Sequence, residues 1–242
     1  MLFTTSWDDG YASDMRLADL LMEHECTGTF YICPKPQYGK EMLSKHAIGL
    51  LAQRHEIGAH TLTHPDLTRI PIELAQEEIQ RSKIWVETVS QKPCTMFCYP
   101  YGAYNEHVKN FVKEAGFFGA RITENFHCSG NDPFALPASI QFYPFPLRRI
   151  FNRRCIGPLQ KSWKPLRSLG IPLTSLRAWL PMAKVVFQKM YESEEPWFHL
   201  WGHSQEIDRY GMWSDLEKFL KFVKGFENTK CVPNSSLIPT TP

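Results

Sequence analysis

The feature that most restricts the fold of this chain is an alternation of two periods. Short β-rich runs at residues 2–7, 29–33, 56–59, 95–98, 117–120 and 197–201 are separated by segments whose apolar positions recur every three or four residues. Met15, Ala18 and Leu21 make one such stripe; Ile72, Ala75, Ile79 and Val86 make a second; Val108, Phe111, Val112 and Ala115 make a third. Strands that alternate with helices are the pattern of an α/β protein with a mostly parallel sheet, because parallel neighbours need helical crossovers. Near the end, Ser214 and Glu217 have the spacing of a capping box, which predicts a helix starting at Ser214 and burying Leu216, Phe219, Leu220 and Val223.

At 242 residues, 43% hydrophobic and 21% charged, the chain can bury one sizeable core and is short for two. A formal net charge of +2 gives no global attraction to nucleic acid. The charge is uneven, however. Residues 133–191 contain no Asp or Glu yet carry ten basic side chains, among them Arg148, Arg149, Arg153, Arg154 and Lys161, so they read as a basic insertion. Residues 229–242, rich in Pro, Ser and Thr, are expected to be a disordered tail, which leaves 1–228 as the folded domain.

The seven cysteines are odd in number and lack zinc-finger spacing, so they read as free thiols in a reducing compartment. The start shows no charged segment followed by an apolar run and a cleavage site, and no stretch approaches the roughly 20 apolar residues of a membrane span. The resulting expectation is a cytoplasmic protein.

Four chemistry-bearing motifs sit at the carboxyl ends of predicted strands, where parallel α/β folds build their sites. The first is Asp8-Asp9-Gly10, whose neighbouring carboxylates repel unless a cation lies between them. Taken alone, it is more readily an Asx turn before a helix near Ser13, with both carboxylates solvated. The second is His60-Thr61-Leu62-Thr63-His64-Pro65. Two imidazoles four apart can share one ion, Pro65 keeps the segment out of a helix, and Thr61 stands where a metalloprotease helix would need Glu. A pair of surface histidines is the plain alternative. The third is Tyr99-Pro100-Tyr101-Gly102, which is otherwise an ordinary proline turn, and the fourth ends at His203. A histidine held at a cleft wall suits a general acid, though Glu206 or Asp208 could equally satisfy it.

In this order the motifs resemble the polysaccharide deacetylase family, also called carbohydrate esterase family 4 or the nodulation-factor deacetylase homology domain. Ser6-Trp7-Asp8-Asp9-Gly10 is similar to its T-F-D-D-G, His60 to His64 matches its H-[ST]-x-x-H, Tyr99 to Gly102 is similar to its third motif, and Leu200 to His203 to its fifth. The resemblance spans residues 2–222 and implies a distorted (β/α)7 barrel with mostly parallel strands, the site lying at the strands' carboxyl ends. It further implies that Asp9, His60 and His64 are ligands to a divalent metal, Zn2+ first and Co, Mn, Ni or Fe next. Asp8 would then be the general base, His203 the general acid, and the Tyr101 N–H an oxyanion donor. Trp201, Tyr99 and Pro100 would contact substrate.

Two departures stand out. Cys98 occupies the place of the arginine that opens the family's third motif, and Ala138 follows Leu136-Pro137, where some members carry a replacement. Without a cationic neighbour Asp8 would be a poorly tuned base. Arg121, at the end of a predicted strand, is the candidate partner for Asp8, and Asp132 the candidate orienter of His203. The implied activity is removal of an acetyl or formyl group from an N-acylated amino sugar, free or nucleotide- or lipid-linked. Two alternatives stay open: hydrolysis of a non-sugar amide or cyclic ureide on the same scaffold, and a catalytically silent carbohydrate-binding domain. The basic residues of 147–189, with Trp163 and Trp179, suggest weak contact with a membrane surface or an anionic sugar carrier, unless acidic residues such as Glu73, Glu77 and Glu78 neutralise them. Nothing in the sequence sets an oligomeric state.

Overall fold

A computed structural model describes residues 1–35, 41–144, 166–167 and 170–238. Its strands are β1 (Leu2–Asp9), β2 (Gly28–Ile32), β3 (Glu56–Ala59), β4 (Met96–Cys98), β5 (Gly119–Arg121), β6 (Ile140–Gln141), β7 (Trp197–Gly202) and β8 (Lys230–Cys231). The helices are α1 (Asp14–Glu23), α2 (Lys45–Leu51), α3 (Ile72–Ser90), α4 (Glu106–Glu114), α5 (Trp179–Glu192), α6 (Ser204–Tyr210) and α7 (Trp213–Lys224). All strand pairings are parallel, in the order β5-β4-β3-β2-β1-β7-β6. The ring closes through one bridge: Leu136, just upstream of β6, lies beside Arg121 of β5, with Leu136 N–H donating to Ala120 and Ile122 N–H to Leu136. Seven strands thus run round in sequence order with helices outside, the (β/α)7 barrel expected.

The polar sequence of β1 explains how the barrel is filled. Side chains alternate across a strand, so Phe3 and Trp7 pack outward in the helix-covered core while Thr4, Ser6 and Asp8 point inward. Each inward group has a partner: Thr4 Oγ1 donates to Asn234 Oδ1 at 2.7 Å, Ser6 Oγ meets His199 Nε2 at 2.8 Å, and Asp8 meets Arg121. A second, smaller cluster of Tyr31, Met96, Cys98, Leu136, Trp197 and Leu237 shares the interior.

Asn234 and Leu237 overturn the expected tail. β8 pairs with the start of β1, and the 3-10 helix Asn234–Leu237 plugs the amino-terminal floor of the barrel, with Asn234 wholly buried. Asn234 Nδ2 donates to Tyr31 Oη, its N–H to Thr29 Oγ1, and the Ser235 N–H to Glu56, whose Oε2 also accepts from Thr29. The segment needs little apolar surface because it fills a polar floor. The folded unit therefore runs through residue 238, and 239–242 lie outside the described residues.

Three further expectations are corrected. Cys26 and Cys231 form a disulfide across 205 residues, a separation no spacing rule reveals; Cys33, Cys94, Cys98 and Cys128 are free, and Cys155 lies outside the described residues. Such bonds persist in oxidising surroundings, which removes the cysteine support for a reducing compartment. α7 begins at Trp213 after Met212 with no side-chain cap, so Ser214 falls inside the first turn, while Leu216, Phe219, Leu220 and Val223 are buried as expected. Trp179 is not an interfacial anchor: it is wholly buried against Phe142 and Phe219, its indole N–H donating to Gln141. Of the basic insertion, 145–165 with Trp163 lies outside the described residues. No described helix is long and apolar enough to cross a membrane.

Candidate active site

Adjacent strand residues should face opposite ways, yet Asp8 and Asp9 serve one mouth. Asp8 points inward by alternation, and Asp9 leaves strand geometry at φ 80°, followed by Gly10 at φ 82°. A non-glycine residue with positive φ is uncommon, and its strain concentrates where a site over-determines the backbone. Thr61, His64 and Tyr101 share this left-handed conformation, so of the four motif-bearing loops all but the one with His203 carry the same signature. Tyr11, two residues past Asp9, donates its hydroxyl to Asp9 Oδ2 at 2.8 Å.

The loop from His60 to His64 is clamped from α3. Glu78 accepts from the Leu62 and Thr63 N–H groups at 2.7 and 3.0 Å and from Thr63 Oγ1 at 2.7 Å. His60 Nδ1 lies 2.7 Å from the Cys98 carbonyl, an acceptor only, so Nδ1 carries the proton and Nε2 offers its lone pair. Nε2 of His60 and of His64 lie 3.7 and 3.5 Å from Asp9 Oδ1, a buried oxygen with no hydrogen bond among the described residues. Burial, then the neighbouring His64, depresses the His60 pKa to about 4, and burial lowers that of His64. Both imidazoles are therefore neutral near pH 7, the form that binds a metal. Three such atoms within 4.8 Å of one another, one an orphaned carboxylate oxygen, fit the donor set of a divalent ion.

Asp8 is not one of those three, although its carboxylate, His60 and Cys98 also offer ligand atoms within 4.8 Å of one another. Burial would raise its pKa, but Arg121, with His60 and His203, outweighs burial and holds it below the usual carboxylate range. Arg121 is wholly buried and gives Nη2 to Asp8 Oδ1. Its guanidinium carbon lies 4.7 Å from the centre of the Trp201 ring and 5.5 Å from that of Tyr31. Cys98 and Arg121 are register partners on β4 and β5. The small thiol at one position leaves room for a guanidinium that arrives from the next strand.

His203 Nε2 stands 3.9 Å from Asp9 Oδ2, at the same mouth, and its Nδ1 lies 3.9 Å from Glu206 Oε2. Asp132 turns elsewhere than His203: it holds Lys109 of α4 at 3.1 Å and accepts from the Phe134 N–H. Tyr101 is well exposed, its ring edge-on to His64. Tyr99 and Pro100 are buried, against the expectation that they touch substrate; Tyr99 stacks on Tyr104 and donates its hydroxyl to Phe134. Trp201 is almost buried, edge-on to His203, with its indole N–H on Asn125 Oδ1. Sequence reasoning missed Tyr11, Glu78 and Asn125. Tyr11 had a signal in its closeness to the paired aspartates, whereas Glu78 and Asn125 are legible only once α3 and β5 are in place.

A family model described as Polysaccharide deacetylase matches residues 2–120. The peptidoglycan-N-acetylmuramic acid deacetylase PdaC of Bacillus subtilis (strain 168) is 29% identical over 111 residues, 45% of this chain and 23% of that protein. The chitooligosaccharide deacetylase of Rhizobium leguminosarum bv. trifolii is 27% identical over 101 residues, 42% of this chain and 46% of that one. This chain spans less than half the length of the curated relatives it matches. Among solved structures, a polysaccharide deacetylase-type protein from Mycobacterium smegmatis has a TM-score of 0.67 at 15% identity, covering 98% of this chain and 88% of that one.

Proposed function

This chain belongs, through residues 2–120, to the polysaccharide deacetylase family, and from that premise we propose that it hydrolyses the acetamide of an N-acetylated amino sugar. The observation that carries the reading is the division of labour at the mouth: Asp9, His60 and His64 converge on one another, while Asp8, beside His60, is paired with Arg121. We assign the first three as ligands to a divalent metal, Zn2+ first. When bound, that ion would polarise the substrate carbonyl and acidify water.

The chain's own residues do the rest. Asp8, ionised because Arg121 faces it, accepts the proton of the attacking water. The water oxygen bonds to the acyl carbon and the C–N bond breaks. His203, at the same mouth, gives its proton to the departing nitrogen, so the products are acetate and a free amine. The Tyr101 N–H is assigned to the carbonyl oxygen as negative charge develops there, and Trp201 bounds the space for the acyl group, which keeps that group small. Nucleotide- or lipid-linked sugars remain within this proposal as substrates.

The test is acetate release from N-acetylated chitooligosaccharides and from peptidoglycan fragments, with and without a chelator. Turnover lost on chelation and restored by one divalent metal supports the reading; a metal-loaded protein inert on every N-acetylated sugar overturns it. A silent sugar-binding domain was favoured by the loss of the family arginine, and Arg121 at Asp8 takes away that support.

A further inference from the structure

Asp14, the first residue of α1, is wholly buried, and among the described residues neither of its carboxyl oxygens finds a hydrogen bond of normal geometry. Burial, then the charges of Asp9 and Asp8, hold its pKa well above the usual carboxylate range, and the adjacent Ser204 hydroxyl offsets this only in part. An apolar side chain would serve packing better there, since a buried polar group without a partner lowers stability. Its position suggests what it does instead. α1 meets α6 at this point: Ser13 Oγ and Ser204 Oγ are 2.8 Å apart, and Ser204, wholly buried, directly follows His203 and opens α6. One junction therefore ties the segment after Asp8-Asp9-Gly10 to the segment that carries His203.

We propose that Asp14 is a positioning residue: as a neutral acid it donates to Ser204 Oγ, Ser204 donates in turn to Ser13 Oγ, and this latch fixes where His203 stands relative to Asp9. Each hydroxyl then has a defined donor and acceptor role, and the order of donation fixes the Ser204 rotamer next to His203. The kinetic arm of the test rests on the deacetylase reading; the structural arm does not.

The experiment compares Asp14→Ala and Asp14→Asn with the parent by kcat and KM on an N-acetylated chitooligosaccharide, by Tm, and by crystal structure. Asp14→Ala is expected to lower kcat by about tenfold to a hundredfold with KM little changed, since a misplacement of about 1 Å costs about that much. Its Tm should hold or rise, because the buried acid's desolvation cost outweighs one poorly aligned hydrogen bond. Asp14→Asn, whose amide still donates, should keep most of kcat. In the Ala variant His203 Nε2 should leave its place 3.9 Å from Asp9 Oδ2. A parent-like kcat with His203 unmoved, or a fallen Tm with unchanged kcat per folded molecule, would overturn the proposal. If the parent releases no acetate from any N-acetylated sugar, the deacetylase reading fails, and the position of His203 in the Ala variant still decides the latch.

Discussion

The two ends of the barrel treat buried polar groups in opposite ways. At the floor, Thr4, Ser6, Thr29, Tyr31, His199 and Asn234 hand hydrogen bonds to one another, with the Trp197 indole N–H, His55 Nε2 and Thr229 Oγ1 as exceptions among the described residues. At the mouth, Asp9 Oδ1, both oxygens of Asp14, Nε and Nη1 of Arg121 and Nδ1 of His203 lack such partners among the described residues. A satisfied polar core stabilises and specifies a fold, whereas an unsatisfied one costs stability and persists where chemistry uses it. The barrel thus keeps its stability at one end and its reactivity at the other.

Breaking this contrast at the mouth should give the largest effect. Replacing Asp9 by Ala should lower kcat/KM by at least about 10³-fold and abolish zinc binding, with metal-free Tm unchanged or higher; a large fall in Tm would mean that the mouth is built for stability after all. Next comes Arg121→Met. It should reduce kcat about a hundredfold or more by detuning Asp8 and cost about 3–5 kcal/mol in denaturant unfolding by stranding a buried carboxylate. Adding Cys98→Arg should restore much of both, since position 98 faces position 121 in register; a double variant no better than the single one would refute delivery from either strand.

At the floor the signs reverse. Asn234→Ala should destabilise by about 2–4 kcal/mol through the partners it strands at Thr4 and Tyr31, while kcat per folded molecule stays at the parent value. The smallest effect is a slope in pH. His199 is depressed to about 3 by burial and then Arg121, and His55 to about 4 by burial and then Arg54. Below pH 6.5 the unfolded chain binds the protons these rings refuse, so their contribution is complete above pH 6.5 and is lost as pH falls towards 4 and 3. Each ring adds up to about 1.4 kcal/mol per pH unit in that window. Urea midpoints from pH 7 to 4 should flatten in His199→Gln; an unchanged slope would mean that the His199 network does not hold the ring neutral.

The mouth was more legible than the floor, for a physical reason. Asp8, Asp9, His60, His64 and His203 each end a strand or begin the loop after it, and strand periodicity in the sequence locates those ends. Arg121 was legible by the same rule. Asp132 was misjudged because it shares the neighbourhood of β5 in sequence but turns to Lys109. The floor is assembled from Thr4 and Asn234, 230 positions apart, and from side chains whose polarity made them look like solvent-facing tail. Tyr99 was misplaced because the motif marks a turn but not which ring of the turn faces in.

The ring closes where residues 133–139 run beside β5 and the loop after it, and the bridge residue on β5 is Arg121, whose side chain faces Asp8. One residue therefore serves closure through its backbone and the carboxylate through its guanidinium, so a substitution that loosens the closure would also carry the guanidinium away from Asp8.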